Sequence, residues 1–183
     1  MRFTKGSIAG AFIIDLQVHG DTRGFFARTF CSNAFAEHGL ATSMVQMNMS
    51  YSAQKGTLRG LHYQVAPHDE AKLIRCTRGA VYDVVADVRP DSPTFLQWMG
   101  VHLSASNRRM MYVPEGCAHG FLTLSDNAEV FYPVSAAYAP DAERGLRYND
   151  PAFDINWPAP VRLVSEKDQT WPDFDAERLV AVA

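Results

Sequence analysis

Short apolar or alternating runs, separated by turn residues, dominate the chain between residues 71 and 135. The series reads AKLIRCT (71–77), AVYDVVADV (80–88), WMGVHLS (98–104), MMYVP (110–114), GFLTL (120–124) and AEVFYPVS (128–135). Arg78-Gly79 separates the first two strands, and the stretch from Ser125 to Asn127 predicts a hairpin turn before the last one. Many short strands at this spacing predict an all-β sandwich or barrel.

The strand at 80–88 presents two different faces, because successive side chains of a strand point to opposite sides. One face carries Tyr82, Val84, Ala86 and Val88, and the other carries Val81, Asp83, Val85 and Asp87. We therefore expect the two aspartates to face either solvent or a polar cavity.

The clearest helix before the C-terminal region is SNAFAEHGL (32–40), with Ser32 as the predicted N-cap and Gly39 at the end. From about Tyr148 onward the chain is rich in Pro, Trp and Asp. This composition predicts an irregular arm laid on the barrel, ending in a short helix near Ala176.

Length and charge narrow the classes of function. A chain of 183 residues that is 47% hydrophobic favours a single domain spanning residues 1–183. The net charge of -3 and the scattered 17 Lys and Arg argue against a nucleic-acid partner, although a small phosphorylated ligand needs only a few cations.

The three cysteines are odd in number, far apart and form no CxxC pair, so they suggest neither a disulfide framework nor a zinc ribbon and fit a reducing cytoplasm best. No apolar run approaches the roughly 20 residues of a membrane span, and no export signal is visible. The expectation is a cytoplasmic protein that does not bind membranes.

The run VPEGCAHGF (113–121) contains PxGxxH, which resembles the second motif of the cupin superfamily. Metal-binding cupins add HxH and a glutamate from adjacent strands, but the corresponding stretch here is His62-Tyr63-Gln64. His62 and His119 supply only two nitrogen ligands, whereas a catalytic metal usually has three or four protein ligands. We therefore predict no metal and no other cofactor.

Without a metal, the barrel has to work by acid and base. His62 is of the residue type whose ordinary pKa lies near neutrality, and a basic histidine needs an acidic partner to fix its tautomer. The candidates for this partner are Asp83, Asp87 and Asp168. Tyr132 can donate a proton, and the nearby cations that can bind phosphate or an oxyanion are Arg23, Arg59 and Lys72.

Six segments together resemble the dTDP-4-dehydrorhamnose 3,5-epimerase family, in the family's order and over nearly the whole chain. They are DTRGFFARTF (21–30), GTLRGLHYQ (56–64), the run 71–95, YVPEGCAHGFLTLSD (112–126), RYNDPAFDINWP (147–158) and LVSEKD (163–168). The resemblance implies a cupin-type jelly-roll β-barrel with short flanking helices, a homodimer without metal, and a nucleotide-diphosphate 4-keto-6-deoxyhexose as substrate.

The resemblance also implies roles for individual residues. His62 is the base that removes a proton beside the C4 ketone, Asp168 orients it, Lys72 holds the enolate oxygen, and Tyr132 returns a proton from the opposite face. The residues implied in substrate binding are Arg59 at the pyrophosphate, Arg23 and His119 around the diphosphate or sugar, and Gln46, Asn48 and Tyr138 along the cavity. Asp83 stays open as a rival partner for His62.

The chain departs from the family pattern around the base and the acid. His19 and Arg28 stand at the phenylalanine and glutamate positions associated with thymine recognition, which leaves CDP, UDP and GDP sugars open beside dTDP. Met47 and Met49 stand where polar residues are common, and we expect them to make that wall of the cavity more apolar. Pro133 and Ala136-Ala137 alter the strand that carries Tyr132, so inversion at C3 only, at C5 only or at both stays open.

Three alternative functions remain open. A metal-dependent cupin predicts bound iron, manganese or zinc. A non-catalytic sugar-nucleotide binding module predicts ligand binding without proton exchange. A 3,4-ketoisomerase of the same superfamily moves the carbonyl instead of inverting a carbon.

Overall fold

The computed structural model describes residues 1–175 and consists mainly of strands. The helical segments are α1 (Ser32–Ala36), a 3₁₀ turn (Pro140–Ala142) and α2 (Glu166–Gln169). The strands are β1 (Arg2–Lys5), β2 (Phe12–Asp15), β3 (Val18–Asp21), β4 (Gly24–Ala27), β5 (Gln46–Ser52), β6 (Thr57–Gln64), β7 (Lys72–Arg78), β8 (Ala80–Asp87), β9 (Trp98–Ser104), β10 (Met110–Val113), β11 (Cys117–Thr123), β12 (Ala128–Val134), β13 (Glu143–Gly145) and β14 (Leu163–Val164).

Two sheets carry most of these strands. The first sheet has the order β1-β2-β10-β7-β12-β5, and the second has the order β13-β6-β11-β8-β9 with β14 added beside β6. Several pairs of strands that are consecutive along the chain, such as β7 and β8 or β11 and β12, lie in different sheets, as they do in a jelly roll. The all-β cupin-type jelly roll with short flanking helices is therefore confirmed.

The predicted hairpin turn at Ser125 to Asn127 is wrong. β11 belongs to the second sheet and β12 to the first, so this turn carries the chain from one sheet to the other. The local sequence is that of a tight turn, but the pairing partners are set by the tertiary structure. β12 pairs with β5 and β7 instead.

The two faces of β8 pack in different places, as the alternation predicts. Val81 and Val85 lie in a core cluster between the sheets, together with side chains such as Ile74 and Phe121. Val84, Ala86 and Val88 lie in a second cluster with Phe153 and Ile155 of the C-terminal region. The irregular arm therefore covers the outer face of the second sheet, and the helix predicted near Ala176 lies outside the described residues.

Asp87 is fully buried and joins the end of β8 to the following loop. Its carboxylate accepts hydrogen bonds from the Arg89 side chain at 2.9 and 2.8 Å, from Ser92 Oγ at 2.5 Å and from Thr94 Oγ1 at 2.6 Å. Burial alone would raise the pKa of Asp87, but these donors outweigh it and lower the pKa to about 2. Asp87 therefore faces neither solvent nor a cavity, and its partners are structural.

The helix prediction is right in place and wrong in its cap. Cys31, not Ser32, occupies the N-cap position of α1, and no side chain caps the helix. Gly39 has a positive φ of 69°, and its N–H bonds to the Ala36 carbonyl. A glycine adopts this left-handed conformation without steric cost, so Gly39 closes the turn that follows the helix. The helix itself ends at Ala36, three residues before the predicted end.

An apolar surface remains exposed along β5 and on the two-stranded hairpin formed by β3 and β4. Phe26 of the hairpin is 65% exposed, and Met47 and Met49 of β5 are 65% and 67% exposed. The expectation that both methionines line the cavity is therefore wrong, because they alternate with inward-facing residues along the strand. Among residues 1–175, no helix is long and apolar enough to cross a membrane.

Candidate active site

Two adjoining cavities open between the sheets and share His62, Lys72 and Tyr132 in their walls. The larger has a volume of about 470 Å³ and the smaller about 310 Å³; together they are called the cleft below. His62 comes from β6 of the second sheet, whereas Lys72 and Tyr132 come from β7 and β12 of the first. A substrate in the cleft therefore lies between these two sets of side chains.

His62 is paired with Asp168, which the chain delivers from far along the sequence. β14 pairs in parallel with the start of β6, and α2 follows it directly, with the Ser165 side chain capping the helix at the Asp168 N–H. The ring nitrogen Nε2 of His62 lies 2.6 Å from Asp168 Oδ1, and Asp168 Oδ2 accepts the Gly60 N–H at 3.2 Å. This geometry fixes the ring and leaves Nδ1 as the nitrogen available to a substrate.

Asp168 is buried, yet its electrostatic surroundings favour the carboxylate. Burial would raise its pKa, but the hydrogen bond to His62, the charge interaction with it and the Gly60 N–H lower the pKa overall. The partner of His62 left open by the sequence is thus Asp168.

The rival acid, Asp83, belongs to a second histidine. His119 Nε2 lies 2.8 Å from Asp83 Oδ1, and both side chains are buried. His119 is the cross-strand neighbour of His62, so two His–Asp pairs stand side by side in the second sheet. Burial raises the pKa of Asp83, and the charges of His119 and Lys72 act in the opposite direction.

Lys72 projects into the cleft from the first residue of β7. Its Nζ donates to the His62 carbonyl at 3.1 Å and lies 3.1 Å from Glu70 Oε1. Sequence reasoning missed Glu70, although residues two apart in extended chain share a side, which is the signal that could have found it.

Tyr132 is half-buried in the first sheet, where it pairs with Asn48 of β5. Burial raises the pKa of its phenol, and the Glu70 carboxylate raises it further against the opposing charge of Arg59. Tyr132 therefore keeps its proton at neutral pH and can act as a donor.

Polar side chains line the rest of the cleft. Arg59 lies in the larger cavity, where its Nε donates to Ser52 Oγ at 3.0 Å. Gln46 and Asn48 lie in the smaller cavity and are joined at 2.9 Å. The Ser50 hydroxyl, which sequence reasoning also missed, is buried in the larger cavity without a hydrogen-bond partner among residues 1–175.

Tyr138 lies at the exposed edge of the smaller cavity. Its hydroxyl donates to Glu143 Oε2 at 2.7 Å, and Lys167 donates to the same oxygen at 2.6 Å. Because Lys167 belongs to α2, Glu143 ties the helix that carries Asp168 to the loop that carries Tyr138. Glu143 and Lys167 were not predicted as part of the site.

Arg23 lies outside the cleft, and so do the base-recognition positions His19 and Arg28. Arg23 lies at the tip of the β3–β4 hairpin, where its side chain is 88% exposed and pairs with Asp21. The hairpin contacts the loop after β9 through Phe25, whose ring centre lies 4.3 Å from the Arg108 guanidinium. Within one chain, Arg23 does not line the cleft.

The donor set of the cleft does not form a metal centre. Among residues 1–175, no three His, Cys, Asp or Glu side chains are arranged to hold a metal ion. The two histidines are each paired with a carboxylate instead. The prediction that no metal is needed therefore stays a prediction.

The arrangement of His62, Lys72 and Tyr132 suits the removal of a proton from a carbon atom and its return. A histidine with a fixed tautomer can accept a proton, a lysine can stabilise the oxyanion that forms, and a protonated tyrosine on the other sheet can return a proton. Arg59 and His119 supply hydrogen-bond donors of the kind that bind phosphate oxygens.

Comparisons with known proteins point in the same direction. The family model described as dTDP-4-dehydrorhamnose 3,5-epimerase matches residues 5–176. An enzyme of that description from Shigella flexneri is 46% identical over 182 residues, which cover 98% of this chain and 100% of that protein.

Solved structures are similar over the whole fold. A Legionella pneumophila dTDP-6-deoxy-D-glucose-3,5-epimerase in complex with dTDP-4-keto-L-rhamnose has a TM-score of 0.89 and 40% identity, covering 96% of this chain and 95% of that one. A 3'-monoepimerase from Streptomyces bikiniensis in complex with dTDP-quinovose has a TM-score of 0.87 and 37% identity, covering 95% of this chain and 89% of that one.

Proposed function

The chain belongs to the dTDP-4-dehydrorhamnose 3,5-epimerase family, whose members are isomerases, and from this premise we propose how its own residues act. The substrate is a nucleotide-diphosphate 4-keto-6-deoxyhexose, and the reaction inverts a carbon beside the ketone. The observation that carries the proposal is the His62–Asp168 pair at 2.6 Å, in the same cleft as Lys72 and Tyr132.

The reaction begins with removal of a proton from C3 or C5 of the sugar. The C4 ketone acidifies these protons, and His62 accepts one through Nδ1 while Asp168 stabilises the imidazolium that forms. The electrons of the broken C–H bond move into an enolate, whose oxygen Lys72 stabilises. One such donor is worth about 3 kcal/mol, or a rate factor of about a hundred.

Inversion requires that the new proton arrive from the other face of the sugar. Tyr132 comes from the first sheet and His62 from the second, and this placement supports their assignment as acid and base. Tyr132 transfers its phenolic proton to the carbon and then regains one from solvent, as His62 releases its own. The enzyme therefore ends in its starting protonation state.

The same cleft offers groups for the rest of the substrate. Arg59 and His119 bind the diphosphate or the sugar, and Gln46, Asn48 and Tyr138 line the sugar's surroundings. The base-recognition positions His19 and Arg28 lie in or beside the hairpin, away from the cleft. The cleft alone therefore does not identify the nucleotide, which has to be determined by experiment. The carbon inverted is likewise to be measured, since the similar enzyme from Streptomyces bikiniensis is described as a 3'-monoepimerase.

Proton exchange measured by NMR in deuterated water tests the proposal. The 4-keto-6-deoxyglucose unit is linked in turn to dTDP, UDP, CDP and GDP, and deuterium entry is followed at C3 and C5. We expect exchange with at least one nucleotide, loss of exchange in His62→Asn, and no loss in His102→Asn, which changes an exposed histidine in β9. Binding without exchange in the wild type would instead support a binding module, and movement of the carbonyl would support a ketoisomerase.

We further propose that the active form is a homodimer in the cytoplasm. Exposed aromatic and methionine side chains on the hairpin and β5 form an apolar surface of the kind that subunit interfaces cover. Arg23 lies on that hairpin and outside its own cleft, so its predicted role in substrate binding requires a second copy. The cysteines within residues 1–175 are unpaired, which fits a reducing compartment.

Mixing two inactive variants tests the dimer. His62→Asn removes the base and Arg23→Ala removes the guanidinium; if Arg23 acts in the partner's cleft, a mixed dimer has one site with both changes and one intact site. Random mixing then restores about a quarter of the wild-type activity. A monomer in analytical ultracentrifugation, or no recovery on mixing, would contradict the proposal.

A further inference from the structure

Glu70 is a largely shielded carboxylate in the cleft for which the mechanism above has no use. It lies in the loop just before β7, and its side chain is 12% exposed. Its Oε1 is 3.1 Å from Lys72 Nζ, and it lines the smaller cavity together with His62 and Tyr132.

A carboxylate at this position is unexpected on simple electrostatic grounds. Lys72 is to stabilise a negative oxygen, and a second negative group beside it weakens the attraction. Burying the pair also costs free energy, so stability alone does not account for it. The presence of Glu70 therefore calls for a role in the chemistry.

The first part of that role is the placement of the ammonium group. Lys72 has three N–H donors; one bonds to the His62 carbonyl and a second to Glu70. With two donors fixed, the third has a defined direction, whereas a lysine on a single contact rotates freely.

The second part concerns the proton of Tyr132. The charge of Glu70 opposes ionisation of the phenol, and that of Arg59 favours it. The other groups around the cleft that carry or can carry charge are His62, Lys72, Asp83, His119, Tyr138, Glu143, Lys167 and Asp168. Glu70 and Lys72 form an ion pair on the same side of the cleft as Tyr132. Lys72 and Tyr132 belong to strands of the first sheet, and Glu70 lies in the loop that leads into one of them.

We propose that Glu70 is a positioning residue that fixes the Lys72 ammonium at the enolate oxygen and keeps the phenolic proton on Tyr132 until the enolate takes it. The enolate half of this inference rests on the proposed function. The half that concerns the proton of Tyr132 does not depend on the proposed function, because it can be measured in the protein without substrate.

Glu70→Gln tests both halves, since it keeps the size and removes the charge. We expect kcat for epimerisation to fall about tenfold, as for the loss of one charge-assisted contact, with KM little changed. The alkaline limb of the pH–rate profile moves to lower pH. Glu37→Gln, which removes an exposed carboxylate at the end of α1, should change neither kcat nor the alkaline limb of the pH–rate profile.

NMR of protein labelled with ¹³Cζ-tyrosine follows the ionisation of the Tyr132 phenol. The Tyr132 resonance is assigned by its absence in Tyr132→Phe. In Glu70→Gln we expect this resonance to titrate at lower pH than in the wild type, and in Glu70→Asp, which keeps the charge, to stay close to the wild type. An unchanged titration in a folded Glu70→Gln protein would overturn the inference. A shifted titration in a protein with no epimerase activity would leave the inference about Tyr132 standing and sink the proposed function.

Discussion

Replacing Asp168 by asparagine should abolish most of the activity while leaving substrate binding nearly intact. Asparagine can keep the bond from the Gly60 N–H only if its oxygen takes the place of Oδ2, which turns its NH₂ toward His62 Nε2. The ring then has to accept at Nε2 and carry its proton on Nδ1, the nitrogen that faces the substrate. In the opposite orientation the asparagine NH₂ group faces the Gly60 N–H, so two hydrogen-bond donors meet without an acceptor, which costs about 1–3 kcal/mol.

The histidine of Asp168→Asn is thus held in the tautomer that cannot act as a base. The corresponding change in serine protease triads lowers kcat about 10⁴-fold, and here we expect a loss of 10³-fold or more, equivalent to about 4 kcal/mol. Because Asp168 lies behind His62, KM should change by less than about threefold.

The assay is steady-state epimerisation together with deuterium exchange into the substrate, with Asp141→Asn as the control for an exposed aspartate. Thermal unfolding of each variant shows whether the fold persists. A folded Asp168→Asn protein with kcat within tenfold of the wild type would refute the tautomer argument. A rise in KM at constant kcat would place Asp168 in substrate binding instead.

Other expectations concern the acid, the fold and the buried network. Tyr132→Phe should retain deuterium exchange by His62 but form inverted product about 10²-fold more slowly, and equal loss of both would contradict its role as acid. Gly60→Ala should lower Tm by about 5 °C or more, because φ is +102° and the new Cβ would lie 2.6 Å from the His119 carbonyl. Asp87 has a folded pKa of about 2 against an ordinary 3.8, so its stabilisation of about 2 kcal/mol is present above about pH 4 and lost as pH falls toward 2. The advantage of wild type over Asp87→Asn in urea unfolding should shrink by that amount between about pH 5 and pH 2, and a constant difference would rule out this linkage.

The fold was predictable where side-chain alternation decides it. The order of residues 81–88 correctly separates the two faces of β8, which pack in different core clusters. It did not predict that Asp83 and Asp87 are fully buried among the apolar side chains of one face. The pairing of strands was not predictable in this way, because a turn of two or three residues serves equally well within one sheet and between two. The turn at Ser125 to Asn127 is the clearest case.

The site was predictable where one strand carries several of its members, and less so where the chain brings distant parts together. His62 and Asp168 are 106 residues apart, and local sequence gave no reason to prefer Asp168 to Asp83. The parallel pairing of β14 with β6 makes that choice. Met47 and Met49 were misplaced for a simpler reason, because the register of β5 decides which alternate residues face the cleft.

The residues proposed for proton transfer and those proposed for nucleotide recognition lie in different parts of the fold, so recognition can change without a change in the catalytic residues. The residues assigned to proton transfer lie between the two sheets, whereas His19 and Arg23 lie on a hairpin that makes no part of its own cleft. If the hairpin serves the partner's site, a change from glutamate to arginine at position 28 alters base preference without disturbing His62 or Lys72. Nucleotide preference should then follow the hairpin, so reversing Arg28 alone to glutamate should shift it while kcat for the preferred sugar stays within about threefold.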